Sequence, residues 1–193
     1  MGKKIHIDEV RRFIESTPIF QARDVELLVE DKGYALLLLH KLAKRGEIHR
    51  VARGWYSAKD DPIVAVFVLA PSYVGLQDAL SLRGLWEQET NVVLVTSGKA
   101  NPGIRSFLGS RVVVHRLSPR YFFGFDQLSY GSFTIPVSDL EKTLIDLVYF
   151  GESPGADLIK ELAMKADERV LKRYLARYPV SFTSRFERGL KRG

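Results

Sequence analysis

Between Lys41 and Lys59 the sequence places six cations (Lys41, Lys44, Arg45, Arg50, Arg53 and Lys59) against a single acid, Glu47. Clustered cations suit a polyphosphate partner, because each phosphate they neutralise releases condensed counterions. A second basic stretch holds Lys172, Arg173, Arg177, Arg185, Arg188, Lys191 and Arg192. It reads either as further contacts to a DNA backbone, with Lys172, Arg173 and Arg177 foremost, or as a solvated helix face. The charge is unevenly placed. Residues 1–60 carry twelve Lys/Arg against nine Asp/Glu, residues 61–157 seven against ten, and residues 158–193 ten against four. A neutral-to-acidic middle between basic ends suggests a division of labour.

The residue types that carry catalysis do not combine into a site. The chain has no cysteine, which excludes disulfides, thiolate-bound zinc and thiol nucleophiles. Its four histidines, His6, His40, His49 and His115, stand at no metal-ligand spacing such as HExxH or HxH. Neither a G-x-S-x-G elbow nor a Walker or dinucleotide glycine pattern occurs, and Ser97–Gly103 reads as a turn. Glu30-Asp31-Lys32 mimics the Glu-x-Lys of metal-dependent nucleases but has no strand-borne Asp before it. Asp139, Glu141 and Asp146 share one capped helix, where Asp139 and Glu141 complement its positive end. The aromatic cluster Tyr121-Phe122-Phe123-Gly124-Phe125 suits either base stacking or packing in a core. The expectation is a non-enzyme with no catalytic residue, no metal and no cofactor.

The elements that must position these residues follow from periodicity and punctuation. Val10, Phe13 and Ile14 predict a helix over residues 7–16, closed by Pro18, and Val25, Leu28 and Val29 a second over 22–30. After the Asp31-Lys32-Gly33 turn, a third helix runs from Tyr34 to Arg45 and stops at Gly46. Residues 47–51 and 55–57 then read as two strands of a hairpin about Ala52-Arg53-Gly54. Three helices and a hairpin in this order describe a winged helix-turn-helix over residues 1–58. Ser57–Pro62 reads as a linker. Beyond it, an α/β unit over 62–193 is expected. Ile63–Leu69 is a helix or a buried strand, followed by a helix over 76–85 and strands over 91–96, 111–117 and 131–137. Ser138 opens a helix to Phe150 through a capping box with Glu141. After a loop at 151–155 come helices over 157–166 and 168–178, and a frayed basic tail from Ser181. The fold class is therefore α+β, a winged helix followed by an α/β domain with C-terminal helices.

On the third helix, at 100° per residue, Ala35, Leu38, Leu39 and Leu42 fall on one side and must pack inward. Tyr34, Leu37, His40, Lys41 and Lys44 fall on the other, the side that enters a major groove in a winged helix. Lys41 and Lys44 suit phosphates or a guanine edge, and His40 can donate or accept. Arg45, at the end of the helix, is a further candidate DNA contact, and Arg50 and Arg53 lie where a wing reaches the minor groove or backbone. The face carries Leu36 and Leu37 in place of the usual Arg, Asn, Gln or hydroxyl readers. That leaves open a second reading, a non-catalytic adaptor whose winged helix binds protein.

The order of these pieces resembles the AbiEi-type antitoxins, transcriptional autorepressors of abortive-infection, type IV toxin–antitoxin operons. The matching residues begin with the helix-to-wing stretch Leu38-x3-Leu42-x3-Gly46-Glu47-Ile48-His49-Arg50-Val51-Ala52-Arg53-Gly54-Trp55-Tyr56. They continue with Ala79-Leu80-x3-Gly84-Leu85, the strand ending Val95-Thr96, Val113-Val114-His115-Arg116, and Ile135–Asp146 (IPVSDLEKTLID). The resemblance spans roughly residues 6–178. It implies a repressor that binds double-stranded DNA at the operator upstream of its own gene and neutralises a nucleotidyltransferase toxin through the second domain. No apolar run approaches the ~20 residues of a membrane span, and MGKKIHIDEVRRF lacks an apolar signal core. A cytoplasmic protein with no membrane contact is expected.

Overall fold

The computed structural model describes residues 2–88, 91–152 and 155–192. The chain is mixed α+β. Its N-terminal part runs α1 (Gly2–Ser16), β1 (Phe20–Gln21), α2 (Ala22–Val29), α3 (Lys32–Lys44), β2 (His49–Ala52) and β3 (Trp55–Ser57). The stops are chemical. The Gln21 backbone N–H donates to Asp24 Oδ2 (2.7 Å) at the start of α2, and Asp31 caps α3 by accepting from the Tyr34 N–H at 2.9 Å. Gly46, at φ +70°, takes the left-handed conformation that ends α3. Val10, Ile14, Phe20, Val25, Leu38, Leu39, Leu42 and Ile48 close a small core. The three strands form an antiparallel sheet of order β1-β3-β2, Phe20 facing Tyr56 and Arg50 facing Tyr56 from the other side.

The remainder is built on a six-stranded mixed sheet of order β6-β7-β5-β4-β9-β8. Its strands are β4 (Ser72–Val74), β5 (Val92–Thr96), β6 (Gly103–Phe107), β7 (Ser110–Arg116), β8 (Phe125–Tyr130) and β9 (Phe133–Ser138). Side chains alternate between its faces. Tyr73, Val93 and Val95 enter one core with α5 (Leu76–Leu82), α6 (Leu140–Phe150), α7 (Ala156–Lys165), α8 (Glu168–Leu175) and α9 (Val180–Arg192). Val74, Leu94, Val112 and Val114 enter another with α4 (Ala65–Val68). Val51 of β2 belongs to this second core, with Ile19 and Ala52 packed against it. The hairpin thereby shares a core with the 62–68 helical segment and this face of the sheet.

One open alternative is resolved and several expectations are corrected. Residues 62–68 are helical: Asp61 accepts from the Ile63 N–H at 2.9 Å and Pro62 starts the turn, a 3-10 segment that runs into α4. Ser57–Pro62 is not a slack linker. The Ser57 hydroxyl donates to the Pro18 carbonyl (2.7 Å), and Asp61 Oδ2 accepts from the Tyr130 hydroxyl (2.7 Å). The Ser138–Glu141 capping box is displaced by one residue. Ser138 still belongs to β9, opposite Phe125, so Asp139 becomes the cap and accepts from the Lys142 N–H at 2.7 Å. Glu141 instead accepts from the Asp167 N–H. The tail from Ser181 is α9 and not a frayed end, because Phe182 and Phe186 are buried in the first core. Strands β1, β4, β6 and β8 are additions to the elements expected from periodicity. Ser153 and Pro154 of the expected loop, and the side chains of His6, Lys191 and Arg192, lie outside the described residues.

Candidate nucleic-acid interface

The amphipathic division of α3 is carried into the fold. Ala35, Leu38, Leu39 and Leu42 are buried, while Leu36 and Leu37 are each 49% exposed and His40, Lys41 and Lys44 are exposed. At 100° per residue, Gly33, Leu37, His40 and Lys44 line the stripe directly opposite the buried side, with Lys41 on one flank and Leu36 on the other. Tyr34 is half-buried and packs against the N-terminal core, so much of its ring faces inward.

In the hairpin, Gly54 at φ +80° makes the turn and leaves Arg53 exposed at its tip. The register between β2 and β3 shifts between Arg50 and Ala52. Such a bulge turns a strand's side chains off the regular alternation. Arg50 is exposed, and its Nε donates to the Ala52 carbonyl at 3.4 Å. Among the described residues, Lys41, Lys44, Arg50 and Arg53 form no ion pair, so their charges face solvent uncompensated. Arg45 differs. Its Nη1 lies 3.7 Å from Glu47, a carboxylate also held by Arg11 at 3.1 Å.

The second basic stretch is engaged with its own chain. Lys172 pairs with Glu168 at 2.6 Å. The guanidinium of Arg173 lies 5.5 Å from the Tyr174 ring, and that of Arg177 lies 4.2 Å from the Phe123 ring. The Tyr121–Phe125 aromatics pack inward: Tyr121 stacks on Tyr178 at 4.2 Å and Phe125 on Tyr73 at 5.0 Å. Base stacking is therefore closed to these two rings.

Sequence reasoning missed a polar cluster beneath α6. Lys142 and Asp146, one turn apart, are both fully buried and paired. Lys142 Nζ also donates to the Tyr178 hydroxyl (3.1 Å), and the Tyr73 hydroxyl donates to Asp146 Oδ2 at 2.6 Å. Burial pushes the ammonium of Lys142 down and the carboxyl of Asp146 up, and each charge opposes that shift in the other. Burial, then Asp146, holds the Tyr73 phenol far above its usual range. Asp139, raised by burial, accepts from the Tyr174 hydroxyl (2.7 Å), and Tyr174 is pushed up to about 12. The Lys-x3-Asp spacing was the signal available. With neither charge exposed, the pair holds α6 to β4 through Tyr73 and to Tyr178.

His115 lies on a small cleft of about 300 Å³ also lined by Gln77, Trp86, Gln88, Asn91 and Glu152. Its ring packs 4.5 Å from Phe150, its Nε2 stands 3.9 Å from Glu152, and burial lowers its pKa below 6.5. Among the described residues no three of His, Asp and Glu gather so as to hold a metal ion, and no helix is long and apolar enough to cross a membrane.

No family model matches the chain, and no curated protein matches it. Among solved structures, the chain is similar to the Rv2827c protein from Mycobacterium tuberculosis, with a TM-score of 0.63 and 14% identity. The alignment covers 96% of this chain and 74% of that one. At such an identity the likeness is one of fold.

Proposed function

We propose that this chain is a non-catalytic transcriptional regulator that binds double-stranded DNA through its N-terminal sixty residues. In this reading residues 1–58 act as a winged helix-turn-helix. The α2–α3 pair is the helix-turn-helix, α3 enters the major groove, and the β2–β3 hairpin is the wing; residues 62–193 form the second unit. The order helix–strand–helix–helix–hairpin, with β1 paired to β3, supports it. The observation that carries it is the set of exposed cations that have no ion-pair partner among the described residues: Lys41 and Lys44 on the outer side of α3, Arg50 and Arg53 on the hairpin. Charges left open on one helix and its neighbouring turn suit a row of phosphates.

The resemblance to AbiEi-type antitoxins extends the proposal. The chain would repress its own promoter in the cytoplasm, without a cofactor, and counter a nucleotidyltransferase toxin. Fluorescence anisotropy with a labelled duplex from the region upstream of its own gene, against a scrambled duplex over a salt series, tests the first part. About a hundredfold preference with a steep salt slope is expected. Absence of binding at low salt would transfer the surface to the adaptor reading, which the half-exposed Leu36 and Leu37 favour. Co-expression with the product of a neighbouring nucleotidyltransferase gene tests the second part, the expected result being rescue of growth.

A further inference from the structure

The outward side of α3 carries an unusual set of groups for a base-reading helix. Between Lys32 and Lys44 there is no Arg, Asn, Gln, Ser or Thr. The bidentate pairings by which Arg reads guanine and Asn or Gln reads adenine are unavailable here. What the surface does offer is apolar. Leu37 stands at the middle of the stripe opposite the buried side, and Leu36 flanks it, both half-exposed although four other apolar residues of the same helix are buried. Single exposed leucines are ordinary. These two are bordered by His40, Lys41 and Lys44, exposed cations or donors suited to phosphates and purine acceptors. That charge argues for nucleic acid as the occupant of the patch. The apolar feature a major groove presents is the thymine 5-methyl group.

Resting on the DNA-binding reading above, we infer that α3 reads thymine by its 5-methyl group, through Leu37 with Leu36 beside it. His40, one turn on, donates to a purine N7 or O6, and Lys41 and Lys44 hold the flanking phosphates. Sequence preference is then set by the placement of thymines, and the hydrogen-bonded share of base reading is small.

The test uses the full chain and two versions of the same upstream duplex, amplified with thymidine or deoxyuridine triphosphate. The versions differ only in the 5-methyl groups. A scrambled pair serves as reference. The expected loss on removing the methyls is about fourfold for each one contacted, the ~0.8 kcal/mol of a buried methylene expressed as affinity. L37A should bind the thymine duplex as weakly as the wild type binds the uracil one, and should no longer distinguish them. L36A should lose part of the discrimination. Selective wild-type binding to the upstream duplex that is indifferent to thymine or uracil would overturn the inference and leave the DNA reading standing. Equal discrimination by wild type and L37A would overturn the assignment to Leu37. Failure of the wild type to bind any duplex would overturn the DNA reading and this inference together.

Discussion

Lys44 and Lys142 are the same side chain in opposite circumstances. Lys44 lies near the end of α3, exposed and without an ion pair among the described residues. Lys142 lies in the first turn of α6, wholly buried, its ammonium held by Asp146 and the Tyr178 hydroxyl. A solvated lysine keeps its charge available to a partner, and its removal leaves the fold almost unchanged. A buried one has given up its water, so its value depends on every group around it remaining in place. The N-terminal unit thus keeps its cations on the outside, and the larger unit turns its most elaborate polar cluster inward. Charge near a solvent face and charge beneath a helix are different evidence about function.

The sharpest way to break this comparison is at Lys142. K142A leaves Asp146 buried and unpaired and should cost about 3–5 kcal/mol in urea unfolding. Replacing both partners by apolar residues, K142M with D146L, should recover most of that loss. If K142A behaved like a surface substitution, the contrast with Lys44 would collapse. Next comes G124A. Gly124 sits at φ +74°, and a Cβ there would stand 2.8 Å from the Lys142 Cβ and 2.9 Å from the Tyr174 ring. A left-handed non-glycine conformation and backbone displacement against α6 should together cost about 2–3 kcal/mol by the same measurement.

The open side of the comparison is sharpened by R53A. Unfolding should change by no more than about 0.5 kcal/mol. DNA affinity should fall on native and scrambled sequences alike, with the salt slope reduced by about one. The smallest expected effect is at His115. Because burial lowers its pKa below 6.5, the unfolded chain binds the proton first, so stability falls as pH drops from 6.5 towards the folded value. H115Q should flatten that part of the stability–pH profile. An unchanged profile would show that the His115 ring is as free to protonate in the fold as outside it.

Much of the N-terminal unit was legible in the sequence. The burial of Ala35, Leu38, Leu39 and Leu42 follows their spacing, and Gly46 and Gly54 mark the helix end and the hairpin turn. The larger unit was harder for identifiable reasons. β4 has three residues, all buried, and so shows no alternation. β6 and β8 lie at the two edges of the sheet and expose much of their length, which made them resemble loops. Ser138-Asp139-Leu140-Glu141 satisfies two capping registers, and only the extension of β9 through Ser138 chooses between them. In α9 the Phe182–Phe186 spacing marks a buried side, but two apolar rings among so many cations and hydroxyls make a weak helical pattern.

Short-range pattern by itself determined which side of α3 is apolar, where the helices stop and where the cations gather, because these depend on spacing along one element. Whether a charged residue ends in water or in a core was decided only by the tertiary structure. Lys44 and Lys142 both occupy helices with apolar neighbours, and their fates differ because the aromatics of the 121–125 segment and the C-terminal helices close over α6. In the described fold no element covers the outer side of α3. Burial is a property of what packs above a position, and those residues come from distant parts of the chain.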